Sequence, residues 1–140
     1  MRRSMHRTPL VVLIALAVGA CGGATTTTGG SPTTPTVPTT TETFTGDLNP
    51  NGARTYSFTT AAGTITAALT TVSPDSTIAI GLSLGTWNGS ACKSELANDN
   101  AVQGAVLTAL ASPAGSLCAR VYDVGKLVDP ITFTVTIVHP

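Results

Sequence analysis

Residues 43–140 read as an all-β domain, an antiparallel β-sandwich of about eight strands. Three observations predict it. Apolar and polar side chains alternate in short runs, most plainly Ile131, Phe133, Val135 and Ile137 against Thr132, Thr134 and Thr136. Turn-forming residues break the runs at intervals of about 8–12 residues. Threonine, valine and isoleucine recur in the runs, and they suit a pleated, half-buried surface.

The elements follow in order. Thr43–Thr45 is a short first strand, and the turn formers of Asp47-Leu-Asn-Pro-Asn-Gly52 make the loop after it. Arg54–Thr60 places Tyr56 and Phe58 on one face. Thr64–Leu69 alternates Ile65, Ala67 and Leu69. Ser73-Pro-Asp75 turns the chain into a long strand, Ser76–Leu84, with Ile78, Ile80, Leu82 and Leu84 along one side. A loop, Gly85-Thr-Trp-Asn-Gly89, leads to a less regular strand at Ala91–Leu96, and Asn98-Asp-Asn100 is a polar connection. Ala105–Ala111 reads as a strand, because Gly104, Val106 and Thr108 disfavour a helix over the Ala-rich run from Ala101. Ser116–Tyr122 follows the Ser112-Pro-Ala-Gly115 turn, and Ile131–Ile137 closes the domain.

Ahead of the sandwich the chain changes character twice. Arg2, Arg3 and Arg7 precede an uncharged apolar run, Leu10–Val18, which ends at Gly19-Ala20-Cys21. A basic start, about ten apolar residues and small residues at a cleavage point make an export signal. The run is too short to span a bilayer, which takes roughly 20 apolar residues. Val18-Gly-Ala-Cys21 resembles the lipobox of bacterial lipoproteins. The resemblance implies cleavage before Cys21, a diacylglycerol on its sulfur and attachment to the membrane. Gly22 in place of Asp then favours the outer membrane by the sorting pattern of enteric-type bacteria. Residues 22–42 are mostly threonine, glycine and proline, with a single charge at Glu42 and Val37 as the one aliphatic side chain beyond alanine, too little apolar surface to offset chain ordering. They read as a spacer of roughly 25 Å when flexible. The expected organisation is a signal peptide at 1–20, a lipidated cysteine and linker at 21–42, and the sandwich at 43–140.

Charge narrows the partners. The 140 residues carry seven basic and seven acidic groups, but three of the basic ones lie in the signal. After Cys21, four basic residues face seven acidic ones, so the processed chain is mildly acidic and lacks the cationic surface that nucleic acid requires. Cys92 and Cys118 remain once Cys21 is lipidated, and an exported chain is expected to bridge them.

Several segments resemble the bacterial pre-peptidase C-terminal domain. They are Phe44-Thr-Gly46, Tyr56-Ser-Phe58-Thr, Gly63-Thr-Ile-Thr66, Asp75 ahead of the long strand, Ala114–Tyr122 and Thr132–Thr136. The likeness runs over nearly all of residues 43–140, although no peptidase precedes the module here. It implies a jelly-roll-like sandwich with a binding or structural role and no catalysis.

The residues themselves point the same way. His139 is the only histidine after Cys21, and as the penultimate residue it reads as a solvated tail group, a poor base for a triad. No phosphate loop, zinc spacing or EF-hand appears. Asp75, Asp99 and Asp123 sit at or near strand ends, with Asn98 and Asn100 beside one of them. Such hard oxygen donors suit calcium, though ordinary turns use the same residues. Trp87 at a loop tip could stack on a sugar or anchor a protein, or fold back to cap the sandwich. The expected function is a membrane-tethered, non-catalytic module that binds an envelope protein or polysaccharide. The alternative is a carbohydrate-binding module built on Trp87.

Overall fold

The eight strands pair as nested hairpins, first with last and so inward. The computed structural model describes residues 36–140, so the expected signal peptide, Cys21 and the expected spacer up to residue 35 lie outside the described residues. The strands are β1 (Thr40–Leu48), β2 (Ala53–Thr60), β3 (Gly63–Ser73), β4 (Ile80–Trp87), β5 (Cys92–Ala101), β6 (Val106–Ala111), β7 (Gly115–Tyr122) and β8 (Ile131–His139). One sheet has the order β1-β8-β3-β6 and the other β2-β7-β4-β5, with every pairing antiparallel. This is a jelly roll, so the sandwich read from the alternation is the fold. Among the described residues there is no helix long and apolar enough to cross a membrane.

The inward residues of both sheets make one core. Ile65, Leu69, Phe133, Val135 and Ile137 come from the first sheet, and Ile80, Leu82 and Val121 from the second, all essentially without solvent contact. Each large side chain so buried contributes roughly 1.5–3 kcal/mol. Tyr56 and Phe58 do face inward together: Tyr56 stacks on Phe44 with centroids 4.6 Å apart, and Phe58 is buried. The outward face of β1, β8 and β3 is mostly threonine, whose methyl fits the pleat while its hydroxyl meets water.

Several boundaries differ from those expected. β1 starts at Thr40, because Thr40–Glu42 pair with Ile137–His139, three residues before the strand that the composition suggested at Thr43. The strand expected from Ser76 starts at Ile80. Asp75 Oδ1 accepts hydrogen bonds from Thr77 N–H and Oγ1, both at 2.8 Å, and holds the chain in a turn. At its far end β4 runs on to Trp87, so this tryptophan stands at a strand terminus and the loop follows it. Asn98–Asn100 lies inside β5. Between Ile80↔Ala101 and Leu82↔Asn98, β5 has one residue more than β4, a bulge that local alternation does not reveal.

Cys92 and Cys118 form the expected disulfide, with Cα atoms 5.8 Å apart. It joins β5 to β7, the two neighbours of β4, at the level of Gly85. A Cβ on Gly85 would overlap the Lys93 carbonyl, so only glycine lets β5 cross this closely.

Candidate functional site

The outer face of the β2-β7-β4-β5 sheet carries the candidate site. Phe58 points into the core, so Ser57 and Thr59 on either side of it project outward. Thr59 lies opposite Ser116 of β7, and Trp87 lies opposite Cys92 of β5. Ser57, Thr59, Ser116 and half-buried Trp87 thus line a shallow recess of about 230 Å³, with Phe58 at its base. An indole plane beside three hydroxyls offers one surface for stacking and several groups for hydrogen bonding. The Asn88–Ala91 turn next to it is held by Asn88 Oδ1, which accepts from Ser90 and Ala91 N–H at 2.9 and 2.8 Å. With the disulfide attached at Cys92, Trp87 has a fixed mount.

The other end of the same face is occupied by its own side chains. The β5 bulge aims Asp99 at Tyr122, whose hydroxyl donates to Asp99 Oδ1. The Tyr122 ring lies flat over Gly81, where a Cβ would overlap it, and the Arg120 guanidinium sits 5.1 Å from the ring centroid. Burial first, then the Asp99 hydrogen bond and charge, push the Tyr122 phenol up to about 12 despite the opposing Arg120. Lys126 Nζ donates to Asn100 Oδ1 at 2.8 Å.

The three aspartates considered for calcium do not converge, and among the described residues no three histidine, cysteine or acidic side chains are grouped to hold a metal. Asp75 serves its own turn and Asp99 serves Tyr122. Asp123 Oδ1 accepts from Gly125, Lys126 and Leu127 N–H at 2.9, 2.9 and 3.1 Å, and its Oδ2 accepts from Asn51 N–H at 2.8 Å. Burial acts to raise the Asp123 pKa, but these four donors outweigh it and hold the carboxyl below its usual range. Each carboxylate thus has hydrogen-bond donors of its own, Thr77 for Asp75, Tyr122 for Asp99 and four backbone N–H groups for Asp123.

His139 overturns the tail reading. It is 4% exposed, paired in β8, and packed at a tilt against Phe58 with centroids 5.1 Å apart. Its Nε2 lies 3.0 Å from Glu42 Oε1 and its Nδ1 3.2 Å from the Pro140 carbonyl. The Pro140 carbonyl also accepts from Ala61 N–H at 3.3 Å, which fastens the last residues to the β2–β3 turn. Sequence reasoning missed this because the signal is nonlocal: Glu42 and His139 meet only once β1 pairs with β8.

Two further recesses are more apolar. One of about 280 Å³ opens between the sheets beside β6, lined by Ile65, Leu84, Ala109 and Leu110 among others. The second, about 290 Å³, lies under the β7–β8 loop at Ile78, Leu127, Val128 and Pro130.

No protein-family model matches the chain, and no curated protein sequence does. Among solved structures, the chain is similar to the Yersinia pseudotuberculosis-derived mitogen, with TM-score 0.55 and 16% identity, over 72% of this chain and 86% of that one. It is also similar to PliG of Aeromonas hydrophila, a periplasmic inhibitor of g-type lysozyme, with TM-score 0.51 and 12% identity, over 69% of this chain and 83% of that one. At these identities the likeness speaks to the fold.

Proposed function

We propose that this protein is a lipid-anchored envelope lipoprotein that works by binding a protein partner on the outer face of the β2-β7-β4-β5 sheet, without catalysis. The observation that carries the reading is the Trp87 recess: a half-buried indole on a strand end, hydroxyls on two neighbouring strands, and a disulfide fixing the mount. Rigid aromatic anchors of this kind supply contact area at low entropic cost. The lipobox-like Val18–Cys21 and the Thr/Pro tract supply the tether. The similarity to a periplasmic lysozyme inhibitor supports a protein as partner. It also fits an envelope location, and Gly22 after the cysteine favours the outer membrane.

A second reading is carried by the same recess. An indole beside Ser57, Thr59 and Ser116 also suits a sugar ring, stacked on one face and hydrogen-bonded at its edge. One experiment separates the two. A photo-crosslinking residue replaces Thr59 in the full-length chain expressed in a bacterial envelope, and the processed protein is weighed intact. We expect a mass showing a diacylated Cys21 and a protein adduct whose yield falls at least tenfold in Trp87→Ala. Glycan-array binding that needs Trp87, with no protein adduct, establishes the carbohydrate reading instead. An unmodified soluble chain removes the anchor.

A further inference from the structure

The sandwich has four edge strands: β1 and β6 in one sheet, β2 and β5 in the other. An edge presents unpaired N–H and C=O groups, and proteins blunt such edges with charge, proline or bulges. β1 carries Glu42 and Asp47, and β2 carries Arg54. β5 carries Lys93, Glu95 and Asp99 together with two register shifts against β4. β6, Val106-Leu-Thr-Ala-Leu-Ala111, has no charge, no proline and an unbroken register with β3.

Its free backbone groups can be assigned. Leu69 N–H donates to the Ala105 carbonyl at 2.9 Å, and bonded and non-bonded pairs alternate along an antiparallel ladder. The bonded pairs of this ladder are therefore Ala67↔Leu107, Ile65↔Ala109 and Gly63↔Ala111. Val106, Thr108 and Leu110 point their N–H and C=O groups away from β3. Their side chains lie on the outer face of the sheet, where Val106 is 54% and Leu110 74% exposed. Leu110 also rims the apolar recess between the sheets.

We infer that β6 is a self-association edge: the β6 strand of a second copy pairs with it antiparallel about a two-fold axis at Thr108, joining the two sheets. The spacing of the outward residues selects this occupant. Pairing about Thr108 sets each Val106 against Leu110 of the other copy and Thr108 against itself, so both large exposed apolar groups gain apolar partners. No charges oppose one another in this register. A slip of one residue would bring the core-facing Leu107 and Ala109 into the outward row, which the fold of each copy forbids. The pairing uses a different sheet from the Trp87 recess and does not depend on what that recess binds.

The test places p-benzoylphenylalanine in place of Val106 in the full-length chain, co-expressed with a differently tagged copy and irradiated in cells. The expected product has twice the chain mass, carries both tags, and joins position 106 to the neighbourhood of Leu110. Thr108→Pro should reduce its yield at least tenfold, because proline removes an N–H that faces away from β3 and so leaves the domain's own ladder intact. An unchanged melting temperature checks that the domain still folds. Thr108→Lys, which adds facing like charges without touching the backbone, should have the same effect. The inference is overturned by the absence of a doubly tagged product, by a yield that neither variant lowers, or by adducts solely to another protein or within one chain.

Discussion

At the scale of single residues, half-buried phenols in this protein are committed to internal partners, and the two tyrosines report it. Tyr122 gives its proton to a hydrogen bond with Asp99 and rests on Gly81, which favours the neutral phenol. Its pKa of about 12 exceeds the ordinary value near 10, so its contribution to stability is complete below pH ~10 and is lost as pH rises through about 12. Tyr56 is shifted the same way, chiefly by burial, with Asp47 adding to the shift and Arg54 opposing it. Ultraviolet titration of phenolate in the folded protein should therefore find a component ionising near pH 12 that Tyr122→Phe removes. A titration without such a component would contradict the packing around the Tyr122 ring. Neither shift was legible in the sequence. A tyrosine at a strand end looks the same whether or not a bulge two strands away aims a carboxylate at it.

At the scale of elements, loops are fastened by single carboxylates, and Asp123 is the clearest case. One side chain gathers N–H donors from the β7–β8 loop and from Asn51 in the β1–β2 turn, while Asp123 N–H donates to the Gly52 carbonyl at 3.0 Å. Removing the acceptor leaves these donors to compete for water. Asp123→Ala should cost about 1–2 kcal/mol, or roughly 5–10 °C in melting temperature for a domain of this size. The folded-state pKa is lowered, so the stabilisation is present above the ordinary carboxylate pKa and fades as pH falls through the folded value. The gap between wild type and Asp123→Ala should accordingly be full at pH ~7 and narrow as the pH falls below the ordinary carboxylate range. A gap of constant size would mean that packing, and not charge, fastens the loop. The sequence marked Asp123 as a turn residue or a metal ligand, and local spacing could not choose between them. The choice depended on Asn51, far away in the chain, arriving at the second oxygen.

At the scale of the whole molecule, the jelly roll ties distant segments together, and the disulfide adds a covalent tie. Its cysteines are 26 residues apart, and closing a loop of that length stabilises by roughly 3–4 kcal/mol on the chain-entropy model. Chemical denaturation with and without reductant should show a loss of that order, and thiol counting without reductant should find no free thiol at Cys92 or Cys118. The pair was readable from the cysteine count of an exported chain, and the strands and most turns because alternation is a property of the local backbone: side chains on a strand change face at every residue whatever the neighbour. Which strand lies beside which is a different kind of fact. Several runs here alternate equally well, and the order β1-β8-β3-β6 and β2-β7-β4-β5 follows from closing one shared core. That order buried His139 against Phe58 and Glu42, separated Asp75, Asp99 and Asp123, set Trp87 among hydroxyls from two other strands, and left β6 as the uncharged edge. The sequence by itself determined the elements, since alternation and turns depend on residues near in the chain, and the covalent tie, since an exported chain with two remaining cysteines is expected to bridge them. The tertiary structure alone decided the site, the buried polar pairs and the free edge, since each is a meeting of residues brought together only by long-range pairing.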